Sequence, residues 1–216
     1  PEYSQMIASK GINRLSIGIQ SFQDKNLVLM NRNHQASDSI QGIKNAHEAG
    51  IINISIDLIY GLPKQNIITM SQTLAKVIDA SPDRIAIYNY AHMPHLFKPQ
   101  RRIAQDDLPN AETKLDMLFL CIKRLTDAGY LYIGMDHFAL PDDALSIAFV
   151  NGTMSRNFMG YTAQSTPYMI GLGMSAISDI WGAFAQNDKN ITSYQKQVDN
   201  GIIPIFRGHI LSDLDL

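Results

Sequence analysis

Leu15, Ile17 and Ile19 fall on one side of a period-two pattern, and Ser16, Gly18 and Gln20 fall on the other. Such alternation predicts a half-buried strand over 15–20. The pattern returns at Ile52, Ile54, Ile56 and Leu58, set against Asn53, Ser55 and Asp57, and predicts a second strand over 53–59. Helical periodicity takes over at 24–30, 37–49, 69–79 and 110–128. Gly50 and Gly129 follow the second and the last of these, in the position that ends many helices. Further strands are predicted over 84–90 and 129–134. The last runs into Met135-Asp136-His137-Phe138, so polar and aromatic side chains stand where a buried strand meets a loop. Beyond Pro141 the pattern loosens into shorter helices and loops.

Short strands that alternate with helices point to βαβ units and a parallel sheet. Strands covered on both faces read as continuous apolar runs, yet here one face is small and polar. In an α/β barrel that face lines the interior, and ligands sit at the C-terminal ends of the strands. Gln20 and Asp57 fall at such ends. An antiparallel sheet with one wet face is the other arrangement that fits the alternation.

Composition narrows the function. The 216 residues are 45% apolar and 18% charged, as in an ordinary soluble domain, or one domain with part of another. A formal charge of -2 leaves no basic excess to neutralise phosphates, so nucleic acid is not an expected partner. No apolar run is long enough to span a bilayer and no leader opens the chain, so a cytoplasmic protein is expected. The single cysteine, Cys121, allows no internal disulfide and no cysteine-rich metal site. It lies in the helical stripe Leu115, Leu118, Cys121, Ile122 and Leu125, which reads as core. The chain opens at Pro1 in what reads as the last turns of a helix and closes in what reads as the start of another. An interior piece of a longer protein is expected.

The candidate chemistry clusters at strand ends. Asp57 sits among Ile and Leu, where an acid is costly unless paired. A ligand hydroxyl or ammonium group, a backbone amide or an arginine would each satisfy it. Arg32, in Met30-Asn31-Arg32-Asn33-His34, can clamp a carboxylate in bidentate fashion or stay solvated. The loop after the third strand carries Tyr90-Ala91-His92, with Lys98, Arg101 and Arg102 beyond it. That cation cluster suits a ligand with several carboxylates, or is a solvated basic loop. Asp136 and His137 are adjacent and would point to opposite faces of one strand, which favours a structural role for the histidine over an acid–base couple. Gly171-Leu172-Gly173 is too lone a glycine signal to mark a phosphate site.

Taken in order, several segments resemble the oxygen-independent coproporphyrinogen III oxidases, a family of radical S-adenosylmethionine enzymes. They are 13–22 ending in Gln20-Ser21-Phe22, then Asp57 with Gly61-Leu62-Pro63, and Asn89-Tyr90-Ala91-His92. Met135-Asp136-His137-Phe138, Arg156-Asn157-Phe158, Ser175-Ala176-Ile177-Ser178 and Ala185-Gln186-Asn187 follow. The resemblance implies part of an open (β/α) barrel of the TIM type, without its first strands or a C-terminal helical domain. Residues 1–140 would supply barrel strands and helices, and 141–216 a flanking extension. It further implies a 4Fe-4S cluster and two S-adenosylmethionine molecules, with Gln20, Arg32, Asp57, Ala91, Ile177 and Phe158 at the cofactor. The implied reaction turns two propionates of coproporphyrinogen III into vinyl groups with loss of carbon dioxide, after a 5′-deoxyadenosyl radical takes a hydrogen atom from each β-carbon. An electron donor and an electron acceptor are implied partners, with no membrane, and a monomer is expected. The chain departs from the family at Met159, where a glutamine is common, and in lacking its Cys-x3-Cys-x2-Cys motif. Three thiolates hold such a cluster, so its ligands are expected outside these residues and the piece alone is expected to be inactive. A haem-binding chaperone of the same superfamily, or a radical enzyme on another carboxylated substrate, are the competing expectations.

Overall fold

The computed structural model describes residues 2–30, 32–157 and 160–214 and divides into two units, 1–153 and 154–216. In the first, α1 (Glu2–Ser9) precedes β1 (Arg14–Gln20), and α2 (Asp24–Leu29) and α3 (Ala36–Glu48) lead to β2 (Asn53–Tyr60). Next come α4 (Ile67–Ala80), β3 (Arg84–Asn89), α5 (Ala111–Asp127), β4 (Leu131–Gly134), β5 (His137–Ala139) and α6 (Ala144–Val150). Strands β1, β2 and β3 pair in parallel through helical crossovers, as the alternation predicts.

The apolar face of the sheet holds Ile19, Ile54, Ile56, Leu58, Ile85, Ile87 and Phe138 against Ile43, Met70, Leu74, Val77, Met117 and Leu125 of the helices. Cys121 joins this core and is fully buried, as the stripe on α5 predicts. Burying one such large side chain stabilises by about 1.5–3 kcal/mol. Helix starts are capped where small polar residues stand. Asn66 accepts from the Thr69 amide at 3.0 Å while Thr69 Oγ1 accepts from the Asn66 amide, closing a reciprocal box at the start of α4. Asn110 accepts from the Thr113 amide at 2.8 Å at the start of α5.

Two expectations are corrected here. The run 129–134 is not a lone fourth strand that ends in Met135-Asp136-His137-Phe138. Met135 takes a left-handed φ of 51° and, with Asp136, turns the chain into a hairpin. The returning strand β5 then slots between β3 and β4, antiparallel to both, so the sheet order is β1-β2-β3-β5-β4. The second unit is also not mainly short helices and loops. It contains a pair β6 (Ser155–Asn157) and β7 (Gly160–Thr162). It also contains β8 (Tyr168–Met169), β9 (Ile177–Ile180), β10 (Ala183–Asn187) and β11 (Ile205–Ile210), joined as an antiparallel sheet, with α7 (Ile191–Asp199) between the last two. These strands are two to six residues long and every residue of β11 is exposed, so no apolar stripe announces them.

Candidate active-site cavity

The polar face of the first sheet is built in rows. Residues paired across strands share a face, and the row Gly18, Asp57, Ala86 and His137 crosses four strands. Gly18 and Ala86 place no bulky side chain of their own beside Asp57 in this row. Burial lifts the Asp57 carboxyl above the usual carboxylate range, and the nearby His137 charge works against that rise. No hydrogen bond or ion pair ties the Asp57 carboxylate among the described residues, so neither protein partner weighed for it from sequence is present. Sequence alone set His137 beside Asp136 on one strand. The hairpin instead puts Asp136 in the turn, its carbonyl accepting from the Ile87 amide at 2.8 Å, and turns His137 into the row of Asp57.

Gln20 reaches this row by an irregular route. The register slips between Gly18 and Gln20, so that Ile19 and Gln20 together oppose Leu58 of β2. Gln20 then takes φ 71°, a left-handed conformation that costs a non-glycine residue about 1–2 kcal/mol. Its side chain folds back over Gly18, so close that a Cβ added there would lie 2.8 Å from Gln20 Nε2. Glycine at 18 is therefore the seat of the Gln20 amide, a role that alternation alone did not reveal.

Gln20 and Arg32 line one cavity of about 620 Å³, together with Ile59, Tyr90, Lys98 and Arg102. Arg32 follows α2 and is anchored by its amide, which donates to the Leu27 carbonyl at 2.9 Å. On the other side Gln100 braces the loop that holds Ala91. Its Nε2 donates to the Ala91 carbonyl at 3.1 Å, and its Oε1 accepts from the Met93 amide at 2.5 Å. Arg101 is spent on the same loop, its Nε donating to the Pro94 carbonyl at 2.9 Å. Of the predicted site residues, Gln20 and Arg32 thus share a cavity, Asp57 stands in the row beside Gly18, and Ala91 borders the cavity through Gln100.

Ile177 belongs to the second unit, on β9. There Gly171 packs against it so closely that a Cβ would lie 2.6 Å from the Ile177 carbonyl oxygen. Asn187 knits the surrounding loop, its Nδ2 donating to the carbonyls of Gly171 at 3.1 Å and Gly173 at 2.9 Å. The Gly171-Leu172-Gly173 segment accordingly wraps Ile177. A smaller cavity of about 320 Å³ is lined by Ile177, Phe184, Arg207 and His209. Phe158 and Met159 lie outside the described residues.

Residues 1–77, which include Gln20, Arg32 and Asp57, match the model described as the Radical SAM superfamily. More particularly, the chain is a homologue of the oxygen-independent coproporphyrinogen III oxidases. It is 44% identical over 209 residues to that of Pseudomonas aeruginosa, covering 96% of this chain and 45% of that protein. It is 43% identical over 206 residues to that of Escherichia coli, covering 95% and 45%, and 39% identical over 215 residues to that of Synechocystis, covering 100% and 46%. The solved structure of the Escherichia coli coproporphyrinogen III oxidase, described as a radical SAM enzyme, matches 98% of this chain and 49% of its own at a TM-score of 0.92 and 42% identity. The resemblance and the α/β fold class read from the motifs are both borne out. The chain spans about half the length of the curated relatives it matches.

The superfamily implies S-adenosylmethionine and a 4Fe-4S cluster. The cavity suits the first, being within the roughly 300–1,000 Å³ of small-molecule sites. The residues of this chain do not suit the second. Cys121 is sealed in the core with its thiol pushed up to about 12 by burial. No group of three or more His, Cys, Asp or Glu among the described residues can hold a metal ion. Among those residues, also, no helix is long and apolar enough to cross a membrane.

Proposed function

We propose that this chain binds S-adenosylmethionine and coproporphyrinogen III as the substrate-positioning part of an oxygen-independent coproporphyrinogen III oxidase of haem biosynthesis. The observation that carries the reading is the 0.92 TM-score match to the Escherichia coli enzyme over 98% of the chain. Each of two propionates is converted to a vinyl group, losing carbon dioxide and a hydrogen atom and passing one electron to an acceptor. S-adenosylmethionine, when bound, supplies the abstracting radical, and the protein supplies position and dryness.

In this reading Gln20, Arg32, Asp57 and Ala91 hold S-adenosylmethionine, with Arg32 on its carboxylate and Asp57 taking a hydroxyl or ammonium group. Ile177 and Phe158 are the further cofactor-binding residues of this reading, and two S-adenosylmethionine molecules are bound. Residues 1–140 form the barrel portion and 141–216 its extension, and the protein works as a cytoplasmic monomer with an electron donor and an acceptor. Tyr88 stays protonated well past neutrality, because burial and then the charges of Asp57 and Asp136 raise its pKa. It can therefore donate, but not remove, a proton beside Asp57.

The test is a chimera in which this chain replaces the matched half of the Escherichia coli enzyme, purified without oxygen. Conversion of coproporphyrinogen III to protoporphyrinogen IX is expected. A chimera that holds its cluster and S-adenosylmethionine yet turns over no coproporphyrinogen would sink the reading.

A further inference from the structure

Among the described residues, the walls of the larger cavity carry three cations, Arg32, Lys98 and Arg102, and no acid. None of the three forms an ion pair among the described residues, where the pairs are Lys64 with Asp107, Arg84 with Asp143 and Lys123 with Asp127. Asp57, in the row beside Gly18, offers one compensating charge. The excess is not an accident of a loose loop. Gln100 and Arg101 tie the 3-10 turn Lys98–Arg102 back to the carbonyls of Ala91 and Pro94 and to the Met93 amide, so the loop is braced on itself. Arg101 is used for the tie, while Lys98 and Arg102 line the space.

The charge balance decides what such a cavity takes. S-adenosylmethionine brings one carboxylate, one ammonium and one sulfonium group, a net positive charge. Its carboxylate is matched by Arg32 in the reading proposed above, on which this inference rests. Lys98 and Arg102 then face a cationic ligand, and like charges in a partly apolar cavity repel. The balance is restored by a second ligand with carboxylates of its own. We propose that Lys98 and Arg102 form a carboxylate clamp at the rim of the cavity, which takes a ligand bearing two or more carboxylates beside S-adenosylmethionine. The clamp couples the two ligands. Each neutralises charge that opposes the other, and such coupling is reciprocal.

The experiment is equilibrium binding to the full chain, with coproporphyrin III and its tetramethyl ester as probes beside S-adenosylmethionine. In the wild type the free acid is expected to bind, the ester to fail, and the acid to tighten S-adenosylmethionine binding. The double variant Lys98→Gln/Arg102→Gln should bind the acid about tenfold more weakly or worse, as expected for loss of charge-assisted hydrogen bonds. It should bind S-adenosylmethionine alone as tightly as the wild type or more tightly, a direction that a misfolded variant cannot give. The charge-conserving variant Lys98→Arg/Arg102→Lys should restore binding of the acid. Unchanged affinity of the double variant for the acid overturns the clamp, and so does failure of the charge-conserving variant to restore it. If the wild-type chain binds S-adenosylmethionine but not the acid, the clamp falls and the cofactor site stands.

Discussion

Gly18 and Asp57 show how single positions set this site. The Gln20 amide occupies the place where a side chain at position 18 would begin, so Gly18→Ala must push it aside. Its backbone is not in the left-handed region, so the fold has little reason to object. The expected outcome is S-adenosylmethionine affinity lowered by about tenfold, the loss of one good hydrogen bond to a charged group, with a thermal midpoint close to wild type. Calorimetric titration beside a melting curve checks both. Asp57 carries the opposite balance. Burial, the larger cause, raises its pKa above the unfolded value. Its folded state therefore holds a proton that the unfolded chain gives up more readily, and the residue destabilises the fold increasingly as pH rises through that raised value. Asp57→Asn is accordingly expected to raise the melting temperature at neutral pH, with the gain gone below the ordinary carboxylate pKa of 3.8. The same variant should weaken S-adenosylmethionine binding. A melting temperature for Asp57→Asn that does not exceed wild type at pH 7 would count against the burial argument.

Elements were legible where one face is apolar over several turns or alternations. The first three strands and α3, α4 and α5 each carry such a pattern, because each presses that face into the shared core. The β4–β5 hairpin was not legible, since its turn is Met135-Asp136 and has none of the Asn-Gly or Gly-rich signals that favour such turns. For the same reason the sequence does not show that His137 shares the row of Asp57, across Ala86. The cations of the loop after β3 are plain in the sequence, yet its bracing comes from Gln100 and Arg101 reaching back to main-chain atoms, which no pattern of hydrophobicity records. Gln100→Ala is therefore expected to leave every charge in place and still weaken S-adenosylmethionine binding several-fold, through a loosened Ala91, with little change in stability. Hydrogen exchange at 91–102 should speed up in that variant. At the start of α4 the reciprocal cap predicts a purely structural cost. Asn66→Ala should lower stability by about 1 kcal/mol without touching ligand affinity, read as a shift in the denaturant midpoint.

On the scale of the whole molecule, the proposed binding of S-adenosylmethionine draws on residues that could not hold a cluster. The cavity, the row of Asp57 and the cradle of Ile177 are all made by this chain, whereas thiolates for a cluster are not. Cys121 is its only cysteine, it lies at 0% exposure in the core, and its thiol is held protonated up to a pH of about 12. A metal would have to draw that proton off and open the helix layer around α5 to reach it. The chain by itself, incubated with iron and sulfide without oxygen, is therefore expected to show no cluster charge-transfer absorption while still binding S-adenosylmethionine through the cavity. Its thiol should react with an aromatic disulfide reagent only once denaturant unfolds the protein. Cluster absorption that survives Cys121→Ala would mean that other side chains hold iron here, and the division between binding and radical generation would be wrong. Absorption abolished by Cys121→Ala would instead mean that the core around α5 opens far more readily than its burial implies.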